Sequence, residues 1–542
     1  MPKQGSLNLV GTGFNVAGQV TAETLSSIKN ADEVLTMLGD PASGYWLQGL
    51  RPDAVSMLDR YGVGKPRRDT YEEITNHILD RARSGSRVCV AFYGHPGVFV
   101  APSHAALRQA RKEGLQARMH PGISAESCLF ADLGVDPVAR GCQSFEATDL
   151  LVRQRRFDTS SSLVLWQIGG VGVSTYFKKA FWSQSGLDYL TDRLLEVYPE
   201  NHEVVVYEAS PMPVCDARID RLPLRDLPKA TVSIISTLFV PPLAPVKPDN
   251  SMLGRLKAVL GKSACRTPPG SEPIQLLPPE PACSTRDGRL TVVGLGYGLA
   301  GQVTKDARHY LDNADKLVYL VSDPLSSAWL KKQYPGAESL HTYYGDGDDS
   351  EVFKPLMTEA ILAPVREGMN VCAAFTGHPA IVVPPAISAV SRARVEGYRA
   401  RILPSVSIED CLIAELGVDP GVNGRMLYDA TDFLLRPRVL DTSSSLILLQ
   451  VGTLGERLYR SSQCANPDAV SLLSEALQRD YSPDDKAVVY ETPNHPLGEA
   501  RVIETTIAQL PEAELSVIST IYIPPARSAE KNTSVMGALG LA

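Results

Sequence analysis

The sequence predicts an α/β protein of two tandem units, each made of two α/β subdomains, with the units set against each other as a pseudodimer. Three observations predict this. First, whole phrases recur 283 residues apart without insertion or deletion: FYGHPGVF from Phe92 returns as FTGHPAIV from Phe375, and DTSSSLVLWQIG returns as DTSSSLILLQVG. PGISAESCLFADLGVDP from Pro121 returns as PSVSIEDCLIAELGVDP from Pro404, identical at 11 of 17 positions. That period is too long for a solenoid, so each copy is a globular unit of roughly 240 residues. Second, apolar runs within each copy end in glycine and pass into helical patterns, as a sheet covered on both faces requires. Third, a proline-rich connector separates the copies and is long enough to let one fold beside the other.

In order along the first copy, SLNLVG is an apolar strand, TAETLSSIKNA a helix with a threonine cap, and EVLTML the next strand. Thr70 and Glu73 have the S/T-x-x-E spacing of a capping box, which would place Tyr71 in the first turn of a helix. SRVCVAFYG is a buried strand running into a glycine turn, followed by helical SHAALRQARKEG; SSLVLWQIG, HEVVVYE and TVSIISTLFV are later strands. Ligands of such sheets sit beyond the carboxyl ends of the strands, where GTG and YGHPG fall. On its own GTG reads equally well as a tight turn. The connector runs through LAPVKPDN, the short amphipathic NSMLGRLKAVLG and then CRTPPGSEPIQLLPPEPACSTRDG. The expected division is 1–262, a catalytic domain; 263–288, a linker; and 289–542, a degenerate and inactive copy.

Composition narrows the class. With 44% apolar and 21% charged residues there is material for two cores, and no apolar run approaches the ~20 residues of a membrane span. The start, MPKQGSLNLV, lacks the apolar segment of a secretory signal, so a cytoplasmic location is expected. Nine cysteines show neither disulfide-scaffold nor zinc spacing, and Cys89 and Cys128 recur as Cys372 and Cys411 in apolar surroundings, as buried small hydrophobes would. No metal site is expected. A net charge of -8 offers no general attraction for nucleic acid.

The order GTG, YGHPG, PGISAE, then late YE and IST segments resembles the tetrapyrrole methylase superfamily (class III methyltransferases), whose members bind S-adenosylmethionine between two α/β subdomains. Within it, YGHPGVFVAPSHAAL, ARMHPGISAESCLFADLGVDP and RRDTYEEI are similar to borosin peptide backbone α-N-methyltransferases, especially bacterial ones acting on a separate precursor peptide. The resemblance covers residues 6 to about 260 closely and 289 to 542 more distantly. It implies S-adenosylmethionine as donor, with S-adenosylhomocysteine as product. The implied cofactor contacts are Gly11, Gly13, Tyr93, His95, Val98, Phe99, Ser124, Ala125, Gln167, Tyr207, Ala209, Ser236 and Thr237. It also implies catalytic roles for Arg67 and Tyr71, with Tyr61 and Tyr93 matching active-site tyrosines; a further family tyrosine falls on Leu58. His95 reads either as a turn-stabilising residue or as a cofactor contact.

Methylating a peptide nitrogen is demanding because its lone pair is delocalised into the carbonyl. A base must remove the proton and a cation must steady the charge on the amide oxygen. Tyr71, near a helix start and the Arg67 guanidinium, is positioned for the first role and Arg67 for the second. Read blandly, the same residues form a solvated basic loop. The repeat weighs against that: KPRR (formal charge +3) becomes DDSE (formal charge -3), Arg67 becomes Ser350, Tyr71 becomes Lys354 and Tyr93 becomes Thr376. Gly97, Gly122 and Ala125 become Ala380, Ser405 and Ile408, additions of volume expected to close a cofactor pocket in copy two, although His378 and Tyr344 are kept. The expected function is N-methylation of backbone amides in a separate ribosomal precursor peptide, because the tail after Pro525 lines up with the end of copy one. The alternatives are a tetrapyrrole or precorrin C-methyltransferase and a non-catalytic binding or scaffold protein. Expected partners are the peptide and, within one monomeric chain, the second copy; neither nucleic acid nor membrane is expected.

Overall fold

The computed structural model of the protein describes residues 5–173, 182–213, 215–244, 246–261, 265–266, 274–281, 286–343, 345, 347–458, 464–493, 495 and 498–541. Tyr344 and half of the connector 263–288 lie outside the described residues. No described helix is long and apolar enough to cross a membrane.

The first half of copy one is a parallel five-stranded sheet, β1 (Ser6–Gly11), β2 (Glu33–Met37), β3 (Val55–Ser56), β4 (Arg87–Phe92) and β5 (Gln116–Met119), in the order β3-β2-β4-β1-β5. Helices α1 (Ala22–Asn30) and α2 (Pro41–Leu50) cover one face, burying Val10, Ile28, Val34, Leu38 and Leu47 together. Helices α3 (Arg67–Arg83) and α4 (Ala101–Lys112) cover the other, burying Leu7, Leu9, Ile74, Ile78 and Leu107. Thr21 caps α1 as expected, its hydroxyl accepting from Thr24 N at 3.2 Å. The chain reverses its direction of travel across the sheet between β1 and β4, opening a crevice at their carboxyl ends.

The second half begins with α5 (Ala125–Leu133) and continues through β6 (Cys142–Glu146), α6 (Ala147–Val152), β7 (Ser162–Trp166), α7 (Gln184–Leu195), β8 (Glu203–Glu208), β9 (Arg218–Pro223), β10 (Thr237–Val240) and α8 (Asn250–Leu260). Copy two repeats the strands as β11 (Arg289–Gly294), β12 (Lys316–Leu320), β13 (Glu338–Ser339), β14 (Asn370–Phe375) and β15 (Arg399–Ile402), then β16 (Arg425–Asp429), β17 (Ser445–Leu449), β18 (Lys486–Glu491), β19 (Arg501–Thr506) and β20 (Thr520–Ile523). Its first five strands form a separate sheet in the same order as β1 to β5. The later strands of both copies join in one ten-stranded sheet, β19-β18-β20-β17-β16-β6-β7-β10-β8-β9. The join is antiparallel β6 on β16, with Ser144 opposite Arg425, Gln143 opposite Met426 and Cys142 opposite Leu427, so the pairing reads the same from either copy.

Several seam contacts are reciprocal. Ala22 N donates to Val303 O at 3.2 Å, and Lys305 N donates to Val20 O at 3.0 Å. Buried Arg155 donates to Ser443 Oγ at 2.7 Å, and Arg438 to Ser160 Oγ at 3.1 Å. The helix that follows each copy crosses to the other: Met252 and Leu256 of α8 enter the core of copy two, while Val535, from the helix Thr533–Ala538, enters the core built on β7 and α7.

One site at the seam lacks that symmetry. Arg425 is fully buried and donates to Glu409 Oε1 and to Glu126 Oε2, each at 2.5 Å. Glu126 and Glu409 are counterparts 283 residues apart, so one guanidinium serves both, and the residue matching Arg425 in copy one is Cys142. Burial raises both carboxyl groups above the usual glutamate range, with Arg425 opposing the shift. Arg425→Met should therefore cost roughly 3–5 kcal/mol in denaturant unfolding, because it strands two buried carboxylates. Adding Glu126→Gln and Glu409→Gln to that variant should recover most of the loss.

Candidate active site in copy one

The crevice beyond β1 and β4 is built from tightly apposed backbone. A Cβ on Gly11 would lie 2.3 Å from Gly94 O and 3.0 Å from Gly122 Cα. Gly13 pairs with Gly94 and is roofed by Gln19, whose Oε1 accepts from Phe14 N at 2.7 Å and Asn15 N at 3.2 Å. The two glycines predicted as cofactor contacts are thus explained by chain packing against chain, the tight-turn reading of GTG. Phe14 turns its ring edge-on to Tyr93, with centroids 5.8 Å apart.

Of the predicted catalytic residues, Arg67 and Tyr71 lie on α3, Tyr93 follows β4 and Tyr61 precedes α3. The capping box of the sequence reading does not form. Helix α3 begins at Arg67 after Pro66, without a side-chain cap; Thr70 is buried, and Glu73 pairs with Lys65 at 2.7 Å. Proline lacks an N–H and its ring presets the backbone angle of the chain entering the helix, which is the reason the start moves upstream of Thr70. Arg67 and Tyr71 consequently stand four residues apart on one helical face. Their proximity comes from the helix period, with Tyr71 in the second turn. Tyr93 follows β4, its N–H donating to Met37 O at 3.2 Å, and 45% of its surface is open to the crevice. Surrounding protein raises the Tyr93 phenol, Tyr71 raises it further and Arg67 opposes, so the three share one electrostatic neighbourhood. Tyr61 packs half-buried against the core beneath α3. Beside Tyr93, a pocket of about 280 Å³ is lined by Gly39, Asp40, Tyr45 and Leu58 among others. In copy two the counterpart of Leu58 is His341, whose Nε2 lies 2.8 Å from Val321 O across the matching space.

The remaining predicted cofactor contacts fall into two groups. Ser124 caps α5, accepting from Ser127 N at 3.1 Å, and Ala125 follows it. Gln167, Tyr207, Ala209, Ser236 and Thr237 gather at the ends of the adjacent strands β7, β10 and β8. Ile168 N donates to Ser236 O at 3.0 Å, and Thr237 pairs with Tyr207. Tyr207 is buried with its hydroxyl donating to Asp132 at 2.8 Å, and Ser236 donates to Glu208; both are committed within the protein. Phe14, Phe99, Ala125 and Ala209 are partly exposed members of one apolar cluster. Half-buried aromatic rings and alanines are the kind of lining against which the nucleoside part of S-adenosylmethionine would pack. In copy two the matching residues are Tyr297, Val382, Ile408 and Thr492, with Ile408 and Thr492 buried.

His95 is placed differently from a cofactor contact. Its Nδ1 accepts from Gly97 N at 2.9 Å and its Nε2 faces the Asp410 carbonyl of copy two at 2.9 Å, so Nε2 carries the proton and both nitrogens are engaged. His378 repeats this arrangement with Ala380 N and Ser127 O. The Gly97 to Ala380 change also belongs to the seam: a Cβ on Gly97 would lie 2.7 Å from Ile413 Cγ2 and 2.9 Å from Met119 Sδ. Protein occupies that space, so the change repacks the interface and does not fill a cofactor pocket. Ser405 packs on Gly294, its Cβ 2.5 Å from the position a Cβ on Gly294 would take, as Gly122 packs on Gly11 in copy one. Val98 and Phe99 are half-exposed at the end of the same loop.

The sequence model of the Tetrapyrrole (Corrin/Porphyrin) Methylases matches residues 6–228 and again residues 289–511. Among curated relatives, the methyltransferase/ribosomally synthesized cyclic peptide gymnopeptides precursor of Gymnopus fusipes is 43% identical over 257 residues, covering 47% of this chain and 61% of its own. The dendrothelin A precursor counterpart of Dendrothele bispora is 42% identical over 246 residues, covering 45% of this chain and 59% of its own. The omphalotin A counterpart of Omphalotus olearius is 39% identical over 259 residues, covering 47% and 62%. The chain thus spans about three fifths of the length of these relatives. A solved structure, uroporphyrin-III C-methyltransferase from Thermus thermophilus, matches with 22% identity and a TM-score of 0.33 over 44% of this chain and 92% of its own.

Burial lowers the two seam histidines, to about 3 for His95 and about 4 for His378. A lowered folded value means the neutral form contributes stability above the unfolded histidine value of ~6.5, and this contribution is lost as pH falls toward the folded values. Nitrogen NMR at about pH 5 should show both rings neutral with the proton on Nε2. Replacing His95 by Gln should flatten the fall in stability on the acid side.

Proposed function

The chain belongs to the Tetrapyrrole (Corrin/Porphyrin) Methylases, and from that premise we propose that copy one is an S-adenosylmethionine-dependent methyltransferase acting on backbone amides of a peptide. The observation that carries the reading is the grouping of Arg67, Tyr71 and Tyr93 at the crevice of copy one, where copy two has Ser350, Lys354 and Thr376. The printed names of the relatives join a methyltransferase to a ribosomally synthesized peptide precursor, which supports a peptide as substrate.

S-adenosylmethionine, when bound, supplies a methyl group on a sulfonium sulfur. Phe14, Phe99, Ala125 and Ala209 would hold its nucleoside part, near the start of α5. Tyr71, having first released its phenolic proton to solvent, takes the amide proton at its phenolate oxygen and returns to the neutral phenol. Arg67, one helical turn earlier, donates to the amide oxygen as negative charge gathers there. Tyr93, open to the crevice and edge-on to Phe14, orients the peptide plane. A separate peptide chain is proposed as the substrate. The helix Thr533–Ala538, the counterpart of α8, docks on copy one, Asn532 N donating to Val152 O at 2.8 Å. Copy two is proposed to be silent, and the whole chain to act as a monomer.

Incubation with labelled S-adenosylmethionine and synthetic peptides tests this, mass spectrometry locating methyl groups on backbone nitrogen. Label appearing on the enzyme itself, or only on porphyrinogens, would reject it. Calorimetry should count one S-adenosylhomocysteine per chain; two equal sites would show that copy two is not closed. Tyr71→Phe and Arg67→Ala should each lower turnover at least ~100-fold while leaving cofactor affinity nearly unchanged.

A further inference from the structure

Among the described residues, two equivalent loops hold a bulky apolar residue in left-handed backbone: Phe99 (φ 58°) after β4 and Val382 (φ 61°) after β14. Such residues persist only where surroundings over-determine them. In both loops part of the constraint is a carboxylate from the opposite copy. Phe99 N donates to Asp419 Oδ1 at 3.1 Å, and Val382 N donates to Asp136 Oδ2 at 3.1 Å.

Around Phe99 the clamp is dense. Asp419 is nearly buried, and the oxygen that serves Phe99 also accepts from Gly421 N at 2.9 Å, fixing the short helix Pro420–Asn423. The Phe99 ring lies on the Gly421 backbone, so that a Cβ there would approach it to 2.7 Å, and tilts against Trp166 with centroids 5.4 Å apart. The second Asp419 oxygen is 4.0 Å from His104 Nε2, which donates to Gly97 O at 2.8 Å. At the other end of the loop His95 donates to Asp410 O. Copy two therefore fixes residues 95–99 at both ends.

We propose that Asp419 is a positioning residue for the active site of copy one: copy two, without chemistry of its own, builds the methyl-donor loop in trans by holding Phe99 in its left-handed conformation. This rests on the reading that residues 93–99 line the cofactor crevice of copy one. Asp136 makes the mirror-image bond to a loop with no active centre, which supplies a control within the same chain.

The test uses the full chain. Asp419→Ala and Asp136→Ala each remove one seam carboxylate and should lower Tm by similar amounts. Only Asp419→Ala should weaken S-adenosylhomocysteine binding in calorimetry, by about tenfold or more. Asp419→Asn, whose Oδ1 still accepts, should restore most of the affinity. Gly421→Ala, which displaces the Phe99 ring while keeping the carboxylate, should weaken binding too, and it serves if Asp419→Ala does not fold. Unchanged affinity in Asp419→Ala or in Gly421→Ala, or equal loss in the Asp419 and Asp136 variants, would overturn the proposal. If the unsubstituted chain binds no S-adenosylhomocysteine, the cofactor reading fails first, before any variant is compared.

Discussion

A single buried guanidinium set between two equivalent carboxylates is the constraint around which the molecule is arranged. Arg425 lies where β6 meets β16, the one place where the ten-stranded sheet passes from copy to copy. A strictly symmetric pair could not place one arginine there: it would bring either two arginines or none, leaving like charges buried face to face. A chain with two non-identical copies can place Arg425 against Cys142 and neutralise part of both Glu126 and Glu409. Asp410 shows the same asymmetry, accepting from Ser127 Oγ at 2.9 Å across the seam, where a copy-two self-pair would oppose two carboxylates. Covalent tandem duplication and the divergence of these positions are therefore physically coupled.

With the seam settled, the two copies are free to differ where they do not touch. The rims of the crevices have diverged from Arg67 and Tyr71 to Ser350 and Lys354, and Asp349, the counterpart of Pro66, caps the copy-two helix and pairs with Arg457. The same helix in copy one begins at Arg67, after Pro66, and presents Arg67 and Tyr71 on a common face. Equivalent folds thus carry opposite local charge at this helix start.

The phrases that recur most closely turn out to belong to the seam. GQVT segments from both copies run past each other through Val20, Ala22, Val303 and Lys305; GHP contributes His95 and His378; GVDP contributes Asp136 and Asp419; DTSSS receives Arg438 and Arg155. Each must satisfy its counterpart's partner, so a change on one side is constrained by the other. At Gly97, where copy two has Ala380, the space beside the backbone is taken by Ile413 of copy two and by Met119.

The tandem duplication, the alternating strands and helices and the glycine turns at strand ends were legible in the sequence, because each is a local pattern or a repeat at a constant offset. The capping box at Thr70 left Arg67 outside the helix; the structure starts the helix at Arg67, so that Arg67 and Tyr71 share one face. Tertiary structure decided what the repeats were for. That His95 spends both nitrogens on the seam, that Gly11 and Gly13 are packed by Gly94 and Gln19, and that Asp419 reaches into the loop of Phe99 are contacts between residues up to 320 positions apart. Such contacts depend on the angle at which two sheets meet and on which side chain faces which across a pseudo-symmetric join. No periodicity or spacing within one copy encodes the seam contacts, because their partners lie in the other copy, and Gly94 reaches Gly11 only once β1 and β4 pair.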